Sequence, residues 1–187
     1  MVRAFTPDPV PPGVVDDLVD LARRAPAAGN TQTFAVAGPE GDDAAGFGDV
    51  SPPPARREGF GFPGLVAAPV LLLPLGRPAA YPERYAEPDK AGTGLGAGTE
   101  RWAAPYWWVD GGMAVMALLL GAVDAGLGAS LFGLFERERA VLDALGVPAD
   151  RRALGAIALG YPAPDPAGRS ASRPRRGLDE GVHRGGW

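Results

Sequence analysis

The chain of 187 residues has no cysteine and a single histidine, His183. The first absence excludes disulfides, thiolate nucleophiles and cysteine-held metals. The second excludes a multi-histidine metal centre, so no metal site is expected. A Ser-His-Asp arrangement would have to join His183, in a Gly/Arg-rich tail, to Ser51, Ser130, Ser170 or Ser172. None of these serines lies in a Gly-x-Ser-x-Gly turn. No carboxylate pair sits in a context that suggests glycoside hydrolysis, and Asp16-Asp17 reads as solvated helix charge. Lysine is nearly missing: of 18 basic residues only Lys90 is not arginine, a bias of coding composition. The net charge of −4 provides no global basic field for nucleic acid or membrane surfaces. Residues 1–13 carry Pro7, Pro9, Pro11 and Pro12 and lack the apolar core of a signal peptide, so a cytoplasmic protein is expected. The longest apolar run, "GGMAVMALLLGAV" at 111–123, lies between Asp110 and Asp124. A spanning helix needs about 20 apolar residues, so this run predicts a buried core helix and no membrane span.

What is present is a well-stocked core, with 46% hydrophobic residues, and abundant Gly and Pro, 28 and 21. One domain over 1–187 is the simplest organisation. A helix is predicted over 13–25. Val14, Val15, Leu18, Leu21, Ala22 and Ala25 form its apolar stripe, with Asp16 and Asp17 in the first turn. "TFAVAG" reads as a short strand. Residues 39–64 are weakly patterned, with room for a short helix at 42–49. "LVAAPVLLLPL" at 65–75 predicts a buried strand in which Pro69 and Pro74 require ends, a bulge or an unpaired edge. Residues 76–105 form a long irregular insert of the kind that often serves as a lid. Its "GTGLGAG" lacks the strand, helix and Gly-Lys-Ser/Thr of a phosphate loop. A helix over 106–125 follows, then the turn "GLGASLFGLF", a helix at 136–148 and a buried strand at 153–162. The tail, 163–187, is Arg-rich and has no core pattern. This mixture predicts an α+β fold.

Three features suit a flat, phosphorylated cofactor. The helix over 13–25 stops in "APAAGNTQTF", where small residues, a Gly and two carboxamides offer backbone to a planar ring. "GLGASLFG" offers more backbone. Arg173, Arg175 and Arg176 can fork onto phosphate. A cofactor that carries the redox chemistry needs no protein nucleophile. A plain turn, a helix cap and a solvated basic tail would explain the same residues equally well.

The order of these motifs resembles the FMN-dependent nitroreductase family over nearly the whole chain. "RAFTPDPVP" is similar to its opening segment and "APAAGNTQTF" to its Pro-Ser-x-x-Asn-x-Gln-Pro motif. "VDGGMAVMALLLGAVDAGLGASLFGLF" resembles its central dimer helix and following turn. "ALGAIALGYP" and "RPRRGLDEGVH" resemble its last core strand and Arg-containing tail. The resemblance implies a mainly antiparallel sheet surrounded by helices, in an intertwined homodimer with FMN at the interface. NAD(P)H would reduce the flavin, which would pass electrons to a nitroaromatic, quinone or similar small acceptor. Chemistry would take place on the flavin N5, with no catalytic side chain.

The matching cofactor positions are Arg3, Pro26, Ala27, Ala28, Asn30 and Gln32, then Ser130, Leu131, Phe132, Gly133 and Leu134, then Arg173, Arg175 and Arg176. In the insert, Tyr81, Tyr85 and Trp102 would shape acceptor choice. The departures are Ala27 for the usual Ser, Thr33 for the usual Pro, and no Arg-Arg before Val2-Arg3. Arg3 would be poorly fixed unless its segment docks onto the body. The departures support an alternative: a fold-retaining flavin- or ligand-binding protein with little turnover.

Overall fold

A computed structural model describes residues 1–38, 63–164 and 172–186; the possible helix at 42–49 lies outside them. The elements run α1 (Pro12–Arg23), a 3-10 turn (Ala28–Asn30), β1 (Ala35–Ala37), α2 (Pro63–Val66), β2 (Val70–Gly76), α3 (Ala80–Tyr85), α4 (Tyr106–Asp124), β3 (Gly128–Phe132), α5 (Glu138–Ala144), β4 (Arg152–Ala153), β5 (Ala156–Gly160) and α6 (Leu178–Gly181). Strand order is β1-β2-β5-β3, with β4 also pairing to β2, and every pairing is antiparallel.

Strand β5 reads as a continuous apolar run because both of its faces are covered. Ile157 and Leu159 pack with Leu18, Ala22, Leu118 and Ala122 from α1 and α4. Ala156 and Ala158 pack on the other side with Leu65, Val141 and Leu142 from α2 and α5. The alternation continues in β2, where Leu72 joins the first cluster while Leu71, Leu73 and Leu75 join the second. Each fully buried aliphatic side chain contributes about 1.5–3 kcal/mol of transfer free energy, so this two-sided sheet dominates stability.

Several boundaries differ from the sequence expectation for physical reasons. Helix α1 begins at Pro12, whose missing N–H is harmless in the first turn. That start leaves no acidic residue in the first turn, so Asp16 and Asp17 do not occupy the dipole positions predicted for them. Strand β2 starts at Val70, after Pro69, and retains Pro74 inside it. Pro74 sits where the partner changes: Val70–Leu72 pair with β5, whereas Leu75 and Gly76 pair with β4. The predicted strand over 153–162 is thereby split around Leu154 and Gly155, the latter at φ 131. The predicted turn after the central helix is largely the strand β3, paired along its length with β5. The helix predicted at 136–148 is shorter, Glu138–Ala144, after a 3-10 turn at Phe135–Arg137.

The insert is ordered rather than irregular. It holds α3 and three 3-10 turns, at Ala91–Thr93, Leu95–Ala97 and Thr99–Arg101. The central helix α4 has 19 residues and a window of mean hydropathy 1.4, long and apolar enough to cross a membrane by those criteria alone. The 13-residue apolar run therefore does not exclude a span by length. The inner side of α4 is packed against α1 and the sheet through Ala114, Val115, Leu118 and Ala122.

Candidate functional site

The site is built from the end of α1, the turn after it and the start of α4. A cavity of about 220 Å³ lies there, lined by residues 22–27 and by Asn30, Gln32, Tyr81, Trp107 and Asp110 among others. Of the residues singled out from sequence, Pro26, Ala27, Asn30, Gln32 and Tyr81 line it. The turn between them has an unusual backbone. Gly29, Asn30 and Gln32 all have positive φ, at 61, 55 and 51. Such conformations are unfavourable for non-glycine residues and persist where the surroundings over-determine them. Gln32 Nε2 donates to Asn30 Oδ1 at 3.0 Å, and the Thr31 hydroxyl donates to the Ala28 carbonyl.

Two neighbours clamp the turn from outside. The Ala28 N–H donates to Asp110 Oδ2 at 2.7 Å, and the Tyr81 hydroxyl donates to the same oxygen at 2.8 Å. Asp110 is only 7% exposed, and Tyr81 is fully buried. Burial, and secondarily the Asp110 carboxylate, push the Tyr81 hydroxyl well above the usual tyrosine range, so it remains a donor. Arg84 Nε donates to the Gly29 carbonyl at 2.9 Å while its guanidinium forks onto Asp89 at 2.7 and 2.8 Å. Trp107 Nε1 is buried without a hydrogen-bond partner among the described residues, and Trp107 lines the cavity.

The aromatic residues of the insert pack chiefly on one another. Trp102 meets Tyr85 at 4.6 Å, Tyr106 at 5.3 Å and Tyr81 at 5.6 Å between ring centroids. Trp102 Nε1 donates to the Leu95 carbonyl at 3.1 Å.

The remaining sequence candidates lie apart from the cavity lining. Ser130 is buried in β3, with Leu131 and Phe132 half-buried beside it, Gly133 exposed and Leu134 buried. Arg3 is half-buried and its segment is docked: the Val2 N–H donates to the Ala129 carbonyl at 3.1 Å and the Thr6 N–H to the Tyr161 carbonyl at 2.9 Å. Arg173, Arg175 and Arg176 are exposed in the tail.

Sequence reasoning missed Arg23, Arg24, Phe34, Trp107 and Asp110 as lining residues. Asp110 had a readable signal, a carboxylate inside a largely apolar helix whose other acid, Asp124, is its last residue, but it marked only one end of the apolar run. The outer side of α4 also carries a pattern. Tyr106, Val109, Met113, Met116, Leu120 and Val123 are exposed, at alternating steps of three and four. That is the spacing of a helix–helix seam.

An antiparallel sheet covered by helices on both faces, with a small-residue turn over a cavity at one end of the central helix, defines an α+β fold with one candidate ligand pocket among the described residues at that place. The sequence matches the Nitroreductase family over residues 1–46 and 49–161. The chain belongs to that family of oxidoreductases. Solved structures agree in fold. A nitroreductase family protein from Streptococcus pneumoniae TIGR4 superposes with a TM-score of 0.76 at 18% identity, covering 98% of this chain and 94% of that one. A candidate NADH dehydrogenase/NAD(P)H nitroreductase from Parabacteroides distasonis gives 0.68 at 20% identity, covering 100% and 92%. An FMN-dependent nitroreductase from Clostridium difficile gives 0.68 at 15% identity, covering 100% and 94%. No curated protein matches the sequence.

Proposed function

We propose that the protein is a cytoplasmic, homodimeric FMN-dependent oxidoreductase that takes electrons from NAD(P)H and reduces a nitroaromatic, quinone or similar small acceptor. The observation that carries this reading is the turn 26–32, held at positive φ beside a cavity that its own residues line. The residues fit the edge of a flat heterocycle: small side chains leave backbone accessible, and Asn30 and Gln32 provide hydrogen-bonding groups. Arg3, Arg173, Arg175 and Arg176 supply positive charge for the phosphate. The redox chemistry is the flavin's own, hydride exchange at N5, so the chain supplies no nucleophile. The turn, half-buried at Ala27, Ala28 and Gly29, and the aromatic cluster of the insert would shield one side of the ring from water. The exposed apolar seam on α4 supports the homodimer, since a second copy would cover it. This reading assigns the seam to a second copy and not to a lipid surface.

A second reading, flavin or ligand binding with little turnover, is favoured by Ala27, which brings no hydroxyl to the turn. Titration of the full chain with FMN, then NADH or NADPH consumption with a nitroaromatic and with a quinone, separates the two. FMN-dependent consumption supports the enzyme. Binding without consumption supports the second reading, and no flavin binding rejects the enzyme and leaves the second reading only with a ligand other than flavin.

A further inference from the structure

We propose that Asp110 is the positioning residue of this site: its carboxylate holds the turn 26–32 in its ligand-ready shape and ties that turn to the insert. The ligand's identity rests on the function proposed above, but the geometry does not. The turn is not self-sufficient. Its internal bonds, backbone Asn30 to Ala27 and Thr31 to Ala28 with the side-chain bonds of Thr31 and Gln32, close it on itself without orienting it against the body. Among the described residues two bonds orient residues 26–32, beside the Arg151 bond to the adjacent Thr33 carbonyl. One comes from Arg84, whose guanidinium also engages Glu87 and Asp89 at the surface. The other comes from Asp110, buried in the central helix.

The same oxygen of Asp110 accepts from both Ala28 and Tyr81, at 2.7 and 2.8 Å. One atom therefore joins three segments: the turn, the insert helix α3 and the central helix α4. A shift of α3 that withdraws Tyr81 changes the acceptor that fixes Ala28. A buried carboxylate is costly in an otherwise apolar helix, and its two donors account for how it is accommodated here. The insert is thus a brace for the ligand turn as well as a cover near it.

The test uses full-length protein and two readouts, hydrogen exchange of the amides at 27–32 without ligand, and FMN affinity by fluorescence quenching. Asp110→Asn keeps a carbonyl oxygen able to accept both bonds, so both readouts stay near wild type, with affinity within about threefold. Asp110→Ala loses about tenfold or more in affinity and speeds exchange in the turn, while sheet amides keep their protection. Ala28→Pro removes the donor from the other side. Ala27, at φ −136 and ψ 136, already has the backbone that precedes proline. Combining Asp110→Ala with Ala28→Pro adds little beyond either change alone.

Wild-type affinity and exchange in Asp110→Ala, or additive losses in the double variant, would overturn the assignment. If Asp110→Ala does not fold, Ala28→Pro decides: faster exchange in the turn supports the assignment, and unchanged exchange and affinity overturn it. If the wild type itself binds no FMN, the proposed function fails. Turn exchange then decides the role of Asp110 alone, faster exchange in Asp110→Ala supporting it and unchanged exchange rejecting it.

Discussion

Gly29 and Tyr85 meet with no room for a side chain between them. A Cβ on Gly29 would lie 2.6 Å from the edge of the Tyr85 ring, and Gly29 has φ 61. The ring cannot easily retreat, because it is packed against Trp102 at 4.6 Å. Gly29→Ala is therefore expected to cost about 1–2 kcal/mol through the left-handed backbone alone, with a further penalty from the displaced ring. Chemical denaturation measures the loss. A variant as stable as wild type would show that turn and insert separate freely.

The two sides of α4 should respond differently to mutation. Leu118 is completely buried between α1 and the sheet, so Leu118→Ala is expected to destabilise by about 3 kcal/mol. Leu120 is 58% exposed on the apolar seam. If the proposed dimer forms through this seam, Leu120→Glu should leave the circular dichroism of the chain unchanged and shift its sedimentation from dimer to monomer. A wild-type monomer at micromolar concentration would reject the dimer.

Glu138 links α5 to β4. It receives two bonds from Arg152, at 2.8 and 3.0 Å, and one from the Ala153 N–H at 2.9 Å. The Arg152 guanidinium, with help from the Ala153 N–H, holds its carboxyl below the ordinary value of 4.5. A depressed carboxyl contributes stability above its unfolded value and loses it as pH falls through the folded value. The stability gap between wild type and Glu138→Gln should thus be widest near neutral pH and shrink as pH falls below 4.5 through the depressed folded value. A gap independent of pH would show that the bonds do not depend on ionisation.

The tail arginines make a prediction specific to phosphate. Arg175→Ala should weaken FMN by about 1.5–3 kcal/mol and riboflavin much less, because only FMN carries the phosphate. Parallel fluorescence titrations at matched ionic strength compare the two. Equal losses would place Arg175 away from the phosphate.

The sequence by itself determined the parts of this protein that depend on local pattern. The stripe of Val14, Leu18 and Ala22 specified α1 because helical spacing sorts one face from the other. The apolar run at 153–162 specified a buried strand because neither face meets water, though not its split around Leu154 and Gly155. "APAAGNTQTF" marked the end of α1 and a turn that lines a cavity, and the order of motifs pointed to the family that the sequence match establishes.

Only the tertiary structure decided the rest. Pro74 inside β2 makes sense once the strand is seen to change partners from β5 to β4 at that point. Tyr81, expected at the acceptor, is bonded to Asp110 29 positions away, and Asp110 reaches Ala28 82 positions away. Periodicity records which way a side chain faces relative to its own element. It holds no record of which distant donor will arrive there, because that is settled when the helices pack onto the sheet and a buried carboxylate must find its partners.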